Sequence, residues 1–208
     1  VAKPTLVALD LEGVLLEEVW LAVADRTGLQ ELELTTRDID DYAKLMTMRI
    51  KVLARHQITL RNLQGIIAET VKPLDGARDF LDWLQRRTPV VILSDIFMEL
   101  AAPIQEQLGF PTIFGNTLAV DLDSGMVKDF HIRQADGKRK AVEAFHGLGF
   151  RTFAAGDSYN DLTMIRAAHS GALFNAPERI RAAAADLRCC TTYAGLQTLI
   201  DEELLGSE

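Results

Sequence analysis

The sequence predicts an α/β protein: a Rossmann-like parallel sheet with helices on both faces, a small helical cap inserted after the first strand, and a β-hairpin excursion. Three observations lead there. Short apolar runs alternate with amphipathic helical stretches, the pattern of successive βαβ units. One long segment after the first run holds only helical signals. A turn triplet, Asp123-Ser124-Gly125, separates two alternating runs and reads as a hairpin.

The first run, Thr5–Asp10 (TLVALD), reads as a buried strand closed by an acid. Comparable runs follow at Pro89–Ser94 (PVVILS), Arg151–Gly156 (RTFAAG) and Gly171–Phe174. Helical periodicity covers Ala77–Arg86, Phe97–Leu108, Lys138–Leu148, Tyr159–Ala168, Pro177–Ala184 and finally Tyr193–Leu204. Right-handed crossovers bring the C-terminal ends of such strands to one rim, where ligands bind. Between Glu17 and Lys72 only helical signals occur, and Pro73 and Gly76 mark the return. This divides the chain into a core of residues 1–16 and 74–208 and a helical cap of 17–73 over the rim. The hairpin occupies Thr117–Arg133, where AVDL and MVKDFHIR flank the turn.

With 22 Lys+Arg against 30 Asp+Glu, the 208 residues carry a net charge of −8. That balance disfavours nucleic-acid partners, which are held by Lys and Arg on phosphates, and anionic membranes. No apolar run approaches the ~18 residues of a membrane span, and no basic stretch leads into an apolar one as in a signal peptide. Cys189 and Cys190 are the only cysteines, side by side where a normal disulfide is awkward. They read as strand residues facing opposite ways in a reducing, cytoplasmic compartment. His56, His131, His146 and His169 lack metal-ligand spacing. Nothing in the pattern locates a dimer interface.

The acids gather at strand ends. Alternation sends Asp10 and Glu12, in Asp10-Leu11-Glu12-Gly13-Val14, to the same side of the rim. The strand at Arg151–Gly156 runs into Asp157-Ser158-Tyr159-Asn160-Asp161. If these strands are neighbours, Asp10, Glu12 and Asp157 converge and repel one another. A hard cation with oxygen ligands resolves that conflict, and Mg²⁺ suits a partly hydrated site with few carboxylates. Taken singly, Asp157 could simply cap a helix and Asp161 be solvated. Ser94 and Asp95 end the second strand just before a helix, where a hydroxyl and backbone N–H groups can receive an anion. Ser94 alone would read as a plain N-cap. Lys138 begins another helix and offers a point charge for phosphate, with Arg139 and Lys140 as rivals for the inward position. Together these groups suit attack of a carboxylate on phosphorus, giving an aspartyl-phosphate. Two unit charges 4 Å apart repel by about 4 kcal/mol at an effective dielectric near 20, so cationic neutralisation is part of the chemistry.

These stretches, in this order, resemble the motifs of the haloacid dehalogenase superfamily: DLEGV, the Ser of LSD, the Lys of DGKR, and GDSYND. The resemblance implies Asp10 as nucleophile and Glu12 as general acid/base, with Ser94 and Lys138 on phosphate. It implies Mg²⁺ held by Asp10, Asp157 and the backbone carbonyl of Glu12. Asp161 would support the metal site or Lys138, and Asn160 would reach substrate or phosphate. The small helical insertion is similar to that of the phosphoserine phosphatase family, in particular the type that also transfers phosphate to homoserine. TTRDIDDY, VKPL, VVILSD, LGFPT and AAGDSYND carry this narrower likeness over nearly the whole chain. Most of the superfamily has Asp-Gly-Thr where this chain has Glu12-Gly13-Val14, and the homoserine-transferring type shares the glutamate.

Within the cap, Arg49 falls on the apolar stripe of Tyr42, Leu45, Met46, Ile50 and Leu53. An inward guanidinium suits a carboxylate, here the α-carboxylate of an amino acid; snorkelling or an internal ion pair is the alternative. Glu18 could accept the ammonium group, with Glu17 as its rival, and the resemblance favours Glu18. Trp20, Met46 and Met48 read as cap packing or pocket wall. The implied substrate is phosphoserine, with homoserine as an optional acceptor. Another small phosphomonoester would keep the scaffold. A phosphoacceptor signalling domain also gathers acids and a Lys around Mg²⁺, but lacks the cap. Dinucleotide binding fails because no GxGxxG follows the first strand.

Overall fold

The structure is a computed structural model that describes residues 3–35, 38–39 and 41–205. Part of TTRDIDDY (residues 36, 37 and 40) therefore lies outside the described residues. Strand β1 (Thr5–Leu9) is followed by helices α1 (Val19–Thr27), α2 (Tyr42–Arg55), α3 (Leu60–Thr70) and α4 (Ala77–Gln85). Then come β2 (Val90–Phe97), α5 (Met98–Gln105), β3 (Ile113–Val120), β4 (Val127–His131), α6 (Gly137–Gly147) and β5 (Arg151–Gly156). The chain ends with α7 (Leu162–Ala167), β6 (Ser170–Phe174), α8 (Glu178–Ala183), β7 (Arg188–Cys190) and α9 (Tyr193–Leu205).

The strands form one seven-stranded sheet in the order β4-β3-β2-β1-β5-β6-β7. All pairs are parallel except the β3–β4 hairpin. Alternation along β1 divides the core. Val7 and Leu9 join the apolar cluster shared with α4, α5 and α9, while Leu6 and Ala8 join the one shared with α6, α7 and α8. Because β1 lies between β2 and β5, the ends of these three strands meet at the centre of the rim.

Two expectations change. Instead of stopping at Ser94, β2 continues to Phe97, with a register shift between Leu93 and Phe97. Ile96 and Phe97 are buried, and Phe97 pairs with Asn116, so the sheet extends this strand past the expected helix start. Ser94 and Asp95 thus lie in a strand irregularity rather than at a helix N-terminus. The hairpin, for its part, grows from the sheet itself. The first half of β3 pairs in parallel with β2, and the second half turns to pair with β4.

The helical segment leaves and rejoins the sheet at one place. Leu16 bridges Pro73, and the Leu74 N–H donates to the Leu15 carbonyl (2.9 Å). Buried Val19, Val23, Leu32, Met46, Leu53 and Leu63 belong to the same cluster as Leu9, Ile92 and Phe97. A Thr59 capping box starts α3, and the Leu60 N–H donates to the carbonyl of Gly125 in the hairpin turn (2.9 Å). These contacts hold the helices over the rim. No helix among the described residues is long and apolar enough to cross a membrane.

Candidate active site

Asp10, one residue past β1, is 5% exposed. Its Oδ1 accepts from the Leu11 N–H (2.8 Å) and lies 2.8 Å from Lys138 Nζ. Lys138, in the first turn of α6, also donates to Asp161 Oδ1 (2.7 Å). The other Asp161 oxygen accepts from the N–H of Asp157 (3.1 Å), the N–H of Ser158 (3.0 Å) and the Ser158 hydroxyl (2.8 Å). Fully buried and occupied on both oxygens, Asp161 positions its neighbours. Asp10, Asp157 and Asp161 each bring a carboxylate oxygen within 4.8 Å of the others.

Two glycines make this approach feasible. A Cβ on Gly13 (φ +79) would fall 2.4 Å from the Asp157 carboxyl, and one on Gly156 2.3 Å from that of Asp161. The cost is electrostatic. Burial and then Asp161 push Asp10 well above the usual carboxylate range despite Lys138. Burial, Asp161 and Glu18 push Asp157 up to about 7. Burial works against the Lys138 charge, yet Asp10 and Asp161 outweigh it and hold its pKa above the ordinary lysine value. One lysine does not balance three acids, two of them buried and Asp157 half-buried.

Beside this cluster, a chamber of about 200 Å³ lies between the helical segment and the rim. Glu12, Glu18, Trp20, Arg49, Asn160 and Asp95 are among its walls. Glu12 is anchored beside the chamber: Oε1 accepts from the Val19 N–H (2.8 Å), and burial with Glu18 raises its pKa to about 7. Arg49 is 5% exposed; its Nη2 donates to the Leu34 carbonyl (2.8 Å), while its Nε is buried without a partner. Ser94 and Lys138 line a narrow cleft with Asp95, Asn116 and Gly137.

A family profile described as haloacid dehalogenase-like hydrolase matches residues 4–169, which span every element of this site. The chain belongs to that family. Among curated relatives of this hydrolase is the phosphoserine phosphatase ThrH of Pseudomonas aeruginosa, 52% identical over 172 residues that cover 83% of each chain. A phosphoserine phosphatase of Pseudomonas syringae pv. tomato is 49% identical over 83% of this chain and 72% of its own. Among solved structures, a phosphoserine phosphatase in apo form superposes with a TM-score of 0.74 at 22% identity, covering 92% of this chain and 95% of that one. A phospho-aspartyl intermediate analogue of phosphoserine phosphatase has the same TM-score and identity, with 91% and 94% covered. At these identities the structural likeness concerns the fold.

The hydrolase brings the expected site residues together unevenly. Asp10, Asp157, Asp161 and Lys138 converge; buried Lys138 is the one that meets Asp10 and Asp161, while Arg139 pairs with Asp136 and Glu143. Glu12, Glu18, Arg49 and Asn160 face the chamber. The Asp95 carbonyl accepts from the Tyr42 hydroxyl (3.2 Å) and from Asn116 Nδ2 (3.1 Å). Its carboxylate would repel an anion, so any phosphate contact there falls to the backbone. The Ser94 hydroxyl accepts from the Ile96 N–H (3.1 Å), a strand-irregularity contact in place of a helix cap. The sequence placed Tyr42 on the apolar stripe and Ser158 inside a motif but assigned no site role to them or to Asn116, because their contacts depend on which elements adjoin.

The residues fit a divalent cation. Asp10 keeps Oδ2 clear of its hydrogen bonds to Leu11 and Lys138, and the Asp157 carboxyl, seated where a Gly13 side chain would be, brings an oxygen within 4.8 Å of the Asp10 carboxylate. The oxygen-only donor set and the unbalanced acids call for a hard cation.

Proposed function

We propose that this hydrolase is a Mg²⁺-dependent phosphoserine phosphatase, with residues 17–73 as its cap and homoserine as a second phosphoryl acceptor. Asp10 and Asp157, with the Glu12 carbonyl, would hold the metal. When bound, Mg²⁺ supplies charge neutralisation of the phosphoryl oxygens. Lys138 and Ser94 bind the same oxygens, and Asp161 keeps Lys138 and the Asp157 loop in place. Asp10 attacks phosphorus, forming an aspartyl–phosphate bond as the seryl oxygen–phosphorus bond breaks. Glu12 protonates the departing oxygen, then takes a proton from water or from the homoserine hydroxyl, whose oxygen displaces Asp10 from phosphorus. A carboxyl group raised to about 7 suits both halves of that exchange.

The observation that carries the substrate is Arg49, a buried guanidinium with an unpartnered Nε in the wall of the chamber beside the acid cluster. Such a group calls for an anion, and the α-carboxylate of phosphoserine provides one while Glu18 receives its ammonium. The Pseudomonas relatives, both named phosphoserine phosphatase, support the same substrate.

Purified protein given phosphoserine and Mg²⁺ should release phosphate, and chelation should stop it. Full activity in Asp10→Asn would exclude the covalent route. Arg49→Ala should raise KM for phosphoserine strongly; an equal rise for a phosphomonoester without a carboxylate would point to another substrate. Adding homoserine should yield O-phosphohomoserine, and formation of serine and inorganic phosphate alone would remove the transferase half.

A further inference from the structure

We propose that Trp20 sets the preference of this enzyme for phosphomonoesters whose leaving group carries a carboxylate, by holding the Arg49 guanidinium against its indole face; this rests on the reading of Arg49 as the carboxylate ligand. Trp20 is in the first turn of α1 and Arg49 in the middle of α2, and both line the 200 Å³ chamber. Arg49 Cζ lies 4.5 Å from the centroid of the Trp20 ring.

The guanidinium has an unusual set of partners for a buried cation. Its contacts are the Leu34 carbonyl (2.8 Å), the Met46 sulfur (3.7 Å) and the indole face. Nε has none. Burial lowers the Arg49 pKa to about 10, even though Tyr42, Glu12 and Glu18 each act to raise it. Glu12 and Glu18 share the chamber wall and are the obvious competitors for this charge. Stacking supplies attraction without supplying a counter-charge. It also fixes the plane of the guanidinium, so its N–H fork is oriented before a carboxylate arrives. Without the ring, Arg49 can swing toward Glu12 or Glu18 and neutralise itself. A substrate carboxylate would then have to break that ion pair, whereas a substrate lacking one would not. Trp20 therefore acts as a positioning residue for Arg49.

The test compares kcat/KM for phosphoserine and for phosphoethanolamine, which keeps the ammonium and phosphate but lacks the carboxylate. The proteins are wild type, Trp20→Phe, Trp20→Leu and Arg49→Ala, all with Mg²⁺. Wild type should prefer phosphoserine; Trp20→Leu should lower that preference about tenfold, the scale of a desolvated cation–π contact. Trp20→Phe should fall between, and Arg49→Ala should lose most of the preference. Retention of the wild-type ratio by Trp20→Leu, while Arg49→Ala loses it, overturns the proposal and leaves the Arg49 reading standing. No preference in wild type overturns both. Should Trp20→Leu lose both substrates alike, a binding measurement decides. The chain has two tryptophans, so Trp83→Phe leaves Trp20 as the single indole emitter. Titrating that protein with serine should shift its emission and ethanolamine should not; an unchanged spectrum at saturating serine overturns the proposal.

Discussion

At the scale of single residues, the site depends on what is missing as much as on what is present. Gly13 and Gly156 carry no side chain because the Asp157 and Asp161 carboxyl groups occupy that space. Gly13→Ala adds a methyl into the Asp157 carboxyl and forces a left-handed backbone on alanine. Mg²⁺ affinity, measured calorimetrically, should drop at least tenfold, and phosphate release with it; unaltered Mg²⁺ binding would show that Asp157 is not in the metal site. Arg49 shows the converse arrangement, a polar group buried before its partner arrives. Its place on an apolar stripe was legible in the sequence, since helical spacing is enough to put it inward. That Trp20 lies across it was not, because α1 and α2 meet only through the fold. The same holds for Lys138. Three successive cationic side chains point in directions about 100° apart on a helix, and only the position of β1 shows which one meets Asp10.

At the scale of elements, most helices and strands match their periodicity to within a few residues, because alternation and 3.6-residue spacing are properties of neighbours in the chain. The end of β2 is the exception. Pairing of Phe97 with Asn116 extends it beyond Ser94, and that partner comes from a strand whose first half, Ile113–Asn116, follows Gly109 and Pro111 and carries little strand signal. A second junction joins α6, β5 and β6. The His146 and His169 rings pack edge to face at 4.3 Å, and the Thr152 N–H donates to His169 Nδ1 (3.2 Å). Partial burial, then His146 and Arg151, lower the His169 pKa below 6.5, while Glu203 opposes them and Lys3 adds to them. The unfolded chain therefore binds the proton first as pH falls. The contribution of His169 to stability is complete above pH 6.5 and is lost as pH falls through the folded-state pKa. Thermal melts at pH 7.5 and 5.5 should show a modest loss on acidification that shrinks in His169→Gln. An equal loss in both proteins would remove His169 as the cause.

At the scale of the whole molecule, the last helix is tied to the first loop. The Tyr193 hydroxyl donates to the Val14 carbonyl (2.6 Å), 179 residues away, and its ring stacks on Phe80 and Phe174 at 4.9 Å. Val14 is fully buried, directly after Glu12 and Gly13. Tyr193→Phe keeps the stack but leaves that carbonyl unsatisfied, and should cost about 1–3 kcal/mol in urea unfolding. No measurable loss would mean that the carbonyl finds another donor. Metal binding should act on the molecule as a unit too. A ligand of the folded state alone stabilises it by about 2.7 kcal/mol at a hundred times its Kd. Mg²⁺ should therefore raise Tm, and Asp157→Asn should abolish the rise; a rise that survives in Asp157→Asn would place the cation elsewhere.

The sequence by itself determined the α/β class, the helical segment after the first strand, and the clustering of acids at strand ends. Each of these is written in residues adjacent or one helical turn apart. The tertiary structure decided which acids meet, which cation lies between them, and what holds Arg49 facing the chamber. Those contacts join β1 to β5 and α6, and α1 to α2. Sheet order and the docking of the helical segment create them, and neither leaves a local pattern to read.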